Sequence, residues 1–183
     1  TPKATCCKGS DPGMQTNRTP DKGNSRRFSY RNAVRDDFDA IARFPQNRWE
    51  AYFMYPRGKY PADPDELFEV AQKRWIPTVI ESDGEVVAYG NIYDLTAGES
   101  AWLGNVIVSP GYRRTGAGTY LIQTMKKRAK EELRIKELKL VCHNINTGAL
   151  FFYKNQGFHP FDIKSMTGLN HQDIAGIMMK VEL

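Results

Sequence analysis

The stretch from Trp102 to Leu133 leaves few options for how this chain can fold. Val106, Ile107 and Val108 are β-branched and sit in an apolar run, which favours a buried strand. Ser109, Pro110 and Gly111 stop that strand, because Pro110 has no N–H to give to a ladder and Gly111 permits a turn. Further on, Leu121, Met125, Ala129 and Leu133 recur four residues apart with Ile122 beside them. Lys126, Lys127, Lys130 and Glu131 fall on the other side, so the segment has one apolar stripe and one wet face. Strand, glycine-containing loop and helix are therefore predicted in that order, the helix over 118–133.

The loop carries the chemistry. Arg113 and Arg114 come just before Gly116 and Gly118, which open the helix. A helix N-terminus presents free backbone N–H groups and a partial positive charge, and glycines let a ligand approach the backbone closely. Two guanidinium groups at the rim add charge that persists at any ordinary pH. The sum is an anion site suited to a phosphate or pyrophosphate. A P-loop is excluded, since no Gly-Lys-Ser or Gly-Lys-Thr follows. A dinucleotide fingerprint is disfavoured, because Leu121 stands where a third glycine or an alanine is required.

The spacing Arg113-x-x-Gly116-x-Gly118 after an apolar strand instead resembles the coenzyme A pyrophosphate loop of the GNAT superfamily of N-acetyltransferases. One helix and one strand later, Asn146, Ala149, Tyr153, Gly157 and Phe158 are similar, in order and spacing, to that superfamily's second block. The resemblance covers roughly residues 28–183 and is densest over 102–158. It implies an α/β (α+β) fold: a mixed, mostly antiparallel central sheet, with a splayed parallel pair formed by the fourth and fifth strands, flanked by helices. It implies an acyltransferase that moves an acetyl group from acetyl-CoA (coenzyme A) to a primary amine of a small molecule or protein, by direct attack in a ternary complex. The pyrophosphate then lies on the N–H groups of Arg114, Thr115, Gly116, Ala117, Gly118 and Thr119, with Arg113 adding charge. The strand Val106, Ile107, Val108 offers its edge to the pantetheine amides, and a backbone N–H near Val108 is the oxyanion donor. Asn146, Ala149, Phe152 and Tyr153 line the coenzyme from the second block, Asn146 meeting the pantetheine or holding the splay. Tyr153 protonates the leaving thiolate, as in many superfamily members. Many relatives use a glutamate on the fourth strand as base. Here position 102 is Trp, so Glu99 at the strand's start is the candidate, with Asp94 and Glu50 as other options and Asn105 to order a water.

The rest of the chain agrees with this order. Phe28 to Val34 reads as a first strand, and Asp36 and Asp37 open a helix carrying Phe38, Ile41 and Ala42. Pro45 closes it, and Asn47 to Phe53 continues helically. The loop from Met54 to Pro61 is stiffened by prolines, and its rings Tyr55 and Tyr60 are expected on the acceptor side, as in the superfamily. Asp63 caps a helix that starts at Pro64 and carries Leu67, Val70 and Ala71. Trp75–Glu81 and Glu85–Asp94 form a hairpin about Asp83-Gly84, and Glu99 to Val108 is the next strand. Leu138 to Cys142 is the fifth strand, Thr147 to Gln156 a helix ended by Gly157, and 161–166 with 176–183 the closing hairpin.

The net charge is +5, and it is unevenly distributed. Residues 1–35 hold eight Lys/Arg against Asp11 and Asp21, leaving the body close to neutral. Residues 1–27 are almost devoid of apolar side chains and are expected to be a flexible basic leader. They read either as a tail with its own partner or as a remnant of cloning before a natural start at Met14. Residues 28–183 then form one acetyltransferase domain. A nucleic-acid role needs a basic face on the folded part, which the charge distribution does not require. Nor does any apolar run approach the roughly 18 residues of a membrane span. Three cysteines are too few for a disulfide framework, and Cys142 reads as a small core residue. His143, His159 and His171 do not pair at metal-ligand spacing. A reducing cytoplasm is the expected compartment. A homodimer paired through the closing hairpin, and a coenzyme A-binding regulatory module without turnover, are the remaining alternatives.

Overall fold

The computed structural model describes residues 28–183; the expectation of a flexible leader over 1–27 falls outside them. The chain runs β1 (Phe28–Asn32), a short 3₁₀ turn, α1 (Phe38–Ile41), α2 (Arg48–Met54), α3 (Pro64–Gln72), β2 (Trp75–Ser82), β3 (Glu85–Thr96) and β4 (Ser100–Val108). It continues through α4 (Ala117–Glu132), β5 (Glu137–His143), α5 (Thr147–Asn155), β6 (His159–Thr167) and β7 (Asp173–Glu182). The strands form one sheet in the order β1-β2-β3-β4-β5-β7-β6. Every neighbouring pair is antiparallel except β4 and β5, which run parallel through α4. The mixed sheet with a parallel fourth and fifth strand is thus the fold expected from the sequence.

Local chemistry sets the boundaries. Asp83 and Gly84 both take positive φ, the geometry of a tight hairpin turn, and pair Ser82 with Glu85. Asn47 and Asp63 cap α2 and α3, each accepting from two backbone N–H groups of the first turn. The two faces of the sheet are covered differently. On one face Leu121, Ile122, Met125 and Ala129 of α4 are fully buried against Ala88, Ile92, Leu103, Leu138 and Leu140. Each leucine, isoleucine or methionine among them contributes about 1.5–3 kcal/mol on burial. On the other face α1, α2 and α3 pack Phe38, Ile41, Met54 and Leu67 onto Val79, Tyr89 and Ile107.

Two features go beyond the sequence reading. Arg128, on the flank of α4, is buried: it donates to Thr78 Oγ1 at 2.7 Å, to Asn32 Oδ1 at 2.8 Å and to Glu132, tying α4 to β1 and β2. The closing strand β6 is longer than its apolar run, because an edge strand buries no continuous face; Phe161 and Ile163 on it are exposed. Among the described residues no helix is long and apolar enough to cross a membrane.

Candidate active site

The parallel pair is joined for only three residues. Ser100, Ala101 and Trp102 pair with Glu137, Leu138 and Lys139, after which β4 runs on to Val108 and β5 to His143 without pairing. The strands part at the end where β4 feeds the loop and α4. The register of β4 against β3 slips between Asn91 and Tyr89, and Asn105 sits in that bulge with φ of 51°. Its side chain donates to the Met54 carbonyl at 3.0 Å and accepts from Asn91 Nδ2 at 2.9 Å.

The loop meets this opening. Gly116 is the N-cap of α4 with φ of 98°, a left-handed conformation that glycine adopts readily. α4 has no side-chain cap, whereas α2, α3 and α5 are capped by Asn47, Asp63 and Asn146. The first-turn N–H groups of the longest helix are therefore left for an external acceptor. A Cβ on Gly118 would lie 3.3 Å from the Phe152 ring and 3.4 Å from Val108, so β4, α4 and α5 converge there. Thr119 accepts from the Gln156 amide at 3.3 Å, a second link between α4 and the end of α5.

The two arginines do different things. Arg113 is a clamp: its guanidinium donates to both Glu50 oxygens at 2.9 and 2.7 Å and, through Nε, to the Val108 carbonyl at 3.3 Å. The same guanidinium holds the Glu50 carboxyl below its ordinary range, with the Gln46 N–H adding to the effect. Glu50 is thus ionised and engaged, not a free base. Arg114 is exposed and takes φ of 60°, at the position just before the helix-opening glycines.

Val106 and Val108 face α4, while Ile107 is buried with Tyr89 on the opposite side. Ala117 is fully buried, and Thr115 closes the preceding turn by donating to the Tyr112 carbonyl at 2.6 Å. Asn146 accepts from the Ala149 N–H at 3.3 Å, so it caps α5. Ala149, Phe152 and Tyr153 pack on the α4 side of the sheet. Burial pushes the Tyr153 hydroxyl upward, and the neighbouring Cys142 thiol adds to the shift. Cys142 is itself buried, its thiol pushed up to about 12.

Three of the expected groups lie away from the opening between β4 and β5. Glu99 lies in the turn between β3 and β4, where its carbonyl accepts from the Lys136 and Glu137 N–H groups. At 3.2–3.4 Å per residue, that is roughly 25–30 Å along the strand from Val108. Asp94 lines a hollow with Arg74, Tyr93 and Trp102 at that same remote end. Of the expected acceptor rings, Tyr55 folds onto Gly58 and packs against the α1–α3 core, and Tyr60 donates to the Gln46 carbonyl at 3.2 Å. The rings of this segment that reach β5 are Tyr52 and Phe53, with centroids 4.9 and 5.5 Å from His143. Neither these rings nor His143 belong to the motif residues; the signal available was the alternation of β5, which turns His143 away from Cys142.

Known proteins of this architecture agree with the geometry. A phosphinothricin acetyltransferase from Sinorhizobium meliloti, solved in complex with acetyl-CoA, superposes with a TM-score of 0.67 at 16% identity, over 85% of this chain and 88% of that one. The ribosomal-protein-alanine N-acetyltransferase of Brucella melitensis gives 0.67 at 18% identity, over 85% and 99%. In sequence, an amino-acid acetyltransferase from Aliivibrio fischeri (strain ATCC 700601 / ES114) is 29% identical over 89 residues, which are 49% of this chain and only 19% of that protein. A family model described as the acetyltransferase (GNAT) family matches residues 38–158, well over half of the chain. With the parted parallel strands and the glycine-opened helix inside that span, the chain belongs to the acetyltransferase (GNAT) family of acyltransferases.

Proposed function

We propose that the protein transfers an acetyl group from acetyl-CoA to a primary amine, by direct attack in a ternary complex. One observation carries the reading: β4 and β5 separate after Trp102 and Lys139, beside the uncapped, glycine-opened start of α4. The backbone N–H groups from Arg114 to Thr119 hold the pyrophosphate, and Arg114 supplies charge at the rim. Arg113 acts through Glu50, keeping the loop in position rather than binding the anion itself. The pantetheine amides take the unpaired edge of β4 from Val106 to Val108, and Phe152 packs beside it. Asn146 serves the site by starting α5, which carries Ala149 and Tyr153. The amine attacks the thioester carbonyl, a β4 N–H near Val108 stabilises the oxyanion, and the carbon–sulfur bond breaks. Tyr153, kept protonated by its surroundings, gives its proton to the thiolate.

The acceptors named for the relatives, an amino acid, phosphinothricin and an alanine of a ribosomal protein, offer amines, which supports that substrate class. Calorimetric titration of acetyl-CoA and coenzyme A into the protein, beside an Arg114→Ala, Gly116→Glu double variant, tests the site. Binding that the variant loses, followed by thiol release on adding one of these amines, is the expected outcome. No binding by the wild-type chain overturns the reading.

A further inference from the structure

Acetyl transfer leaves one proton without a destination. A primary amine is an ammonium ion at neutral pH and has no lone pair with which to attack. Glu99 and Asp94 lie at the far end of the sheet, and Glu50 is engaged by Arg113. His143 ends β5 at the opening itself. It is 5% exposed, and its Nε2 is buried with no hydrogen-bond partner among the described residues. Native proteins keep few such atoms. The imidazole is walled by Tyr52 and Phe53, on which the Trp49 ring packs at 6.0 and 5.8 Å, a ring cluster outside both apolar cores.

The faces matter here. Cys142 and His143 are adjacent on a strand and point to opposite sides of the sheet. Cys142 goes to the α4 side, next to Tyr153. His143 goes to the α2 side, and Met54, the residue after Phe53, accepts from Asn105 on β4. The last turn of α2 thus bridges the two parted strands, with a phenol on one face of the opening and an imidazole on the other.

We propose that His143 is the catalytic base that takes the ammonium proton from the acceptor, an inference that rests on the acetyl-transfer reading above. Nε2 of the neutral imidazole forms an N–H bond as the acceptor's N–H bond breaks, which frees the amine lone pair. The amine then attacks the acetyl carbon, the carbon–sulfur bond breaks, and the thiolate takes a proton from Tyr153. The phenolate is reprotonated by the proton shed from the new amide nitrogen, and His143 later releases its own to solvent. The net change is ammonium and thioester to amide, thiol and one free proton.

His143 is neutral at physiological pH. Burial lowers its pKa, and the Lys164 ammonium on β6 lowers it further. The Tyr52 phenol faces it from α2, and β7 offers Gly176 opposite. Thiol release from acetyl-CoA is therefore followed from about pH 5 to pH 9, the range in which imidazoles titrate. The acceptors are a panel of L-amino acids, phosphinothricin and an alanine-initiated peptide. In the wild type, kcat is expected to fall on the acid side through a one-proton limb below about pH 6.5, at the same place for every acceptor. Lys164→Gln should move that limb to higher pH. His143→Gln should lose about 100-fold or more in kcat while keeping acetyl-CoA affinity and melting temperature. Full activity in His143→Gln, or a limb that follows the acceptor's own basicity, overturns the proposal; the wild-type limb and its Lys164→Gln shift decide the matter even where His143→Gln does not fold. No thiol release by the wild type with any acceptor is a different result: it removes the acetyl-transfer reading, and His143 with it.

Discussion

Gly116 is where backbone conformation and the proposed anion site meet, so the substitution Gly116→Ala separates them. With φ of 98° and ψ of −11°, the residue lies well outside what an L side chain adopts comfortably. The nearest heavy atom to an added Cβ is on the Phe28 ring at 3.7 Å, an ordinary contact, so sterics add little. The cost is the left-handed backbone alone, about 1–2 kcal/mol. For a domain of this size that lowers the melting temperature by about 2–8 °C. The chain can relieve the strain only by rotating the peptide toward negative φ, which turns the N–H groups at the start of α4 away from their common direction. Loss of one charge-assisted hydrogen bond to phosphate, about 1.5–3 kcal/mol, weakens acetyl-CoA roughly 10- to 150-fold. Gly148→Ala is the matched control: it lies in the first turn of α5 with no heavy atom within 4 Å of the added Cβ and no positive φ. It should leave affinity unchanged and match or raise stability. Gly116→Asn should fall between the two, since asparagine tolerates the left-handed region. Differential scanning calorimetry and acetyl-CoA titration read both quantities. A Gly116→Ala protein as stable and as tight-binding as the Gly148→Ala control refutes the argument; lost stability with unchanged affinity refutes only the anion-site half.

Three further outcomes follow from the contacts. Thr78→Val deletes one acceptor of the buried Arg128 guanidinium and should cost about 1–3 kcal/mol in urea unfolding, with Thr78→Ser restoring most of it. Glu50 has a carboxyl pKa depressed in the folded state, so its contribution to stability is present above the ordinary value of about 4.3 and lost as pH falls through the folded value. Urea midpoints of wild type and Glu50→Gln should accordingly differ at neutral pH and converge in acid; a gap that persists unchanged at low pH contradicts the Arg113 pairing as its source. Tyr153→Phe should lower kcat about 100-fold or more with calorimetric acetyl-CoA affinity kept, and a variant that turns over normally removes the phenol from the reaction.

The local parts of this molecule were legible from the residues, and the parts set by faces and strand direction were not. Asp63-Pro64, Asp83-Gly84 and the glycines at 116 and 118 act within a few residues of themselves, and the helix, the hairpin and the glycine-containing loop formed where those residues stand. The parallel fourth and fifth strands followed from a single crossover helix. Spacing does not show where Glu99 stands, for a geometric reason. It adjoins β4 in sequence, but a strand advances more than 3 Å per residue, so its start is the point farthest from the loop. Arg128 was invisible because α4's flank is closed by β1 and β2, far away in the chain. His143 and Tyr52 were passed over because their meeting depends on which side of β5 the helix α2 covers, a matter of register rather than spacing.

Those long-range contacts assign α2 a role that its seven residues do not advertise. At 1.5 Å per residue it is only about 10 Å long, short enough to lie across the parted ends of two strands. Its first turn supplies Glu50, which grips Arg113 in the loop before α4. Its last residue, Met54, accepts from Asn105 in the bulge of β4. Between them, Tyr52 and Phe53 cover His143 on β5, and the Tyr52 hydroxyl donates to the Thr167 carbonyl at the end of β6 at 2.8 Å. One short helix therefore touches the loop before α4, both parted strands and the closing hairpin. A displacement of α2 that uncovers His143 must also pull on the Glu50–Arg113 pair.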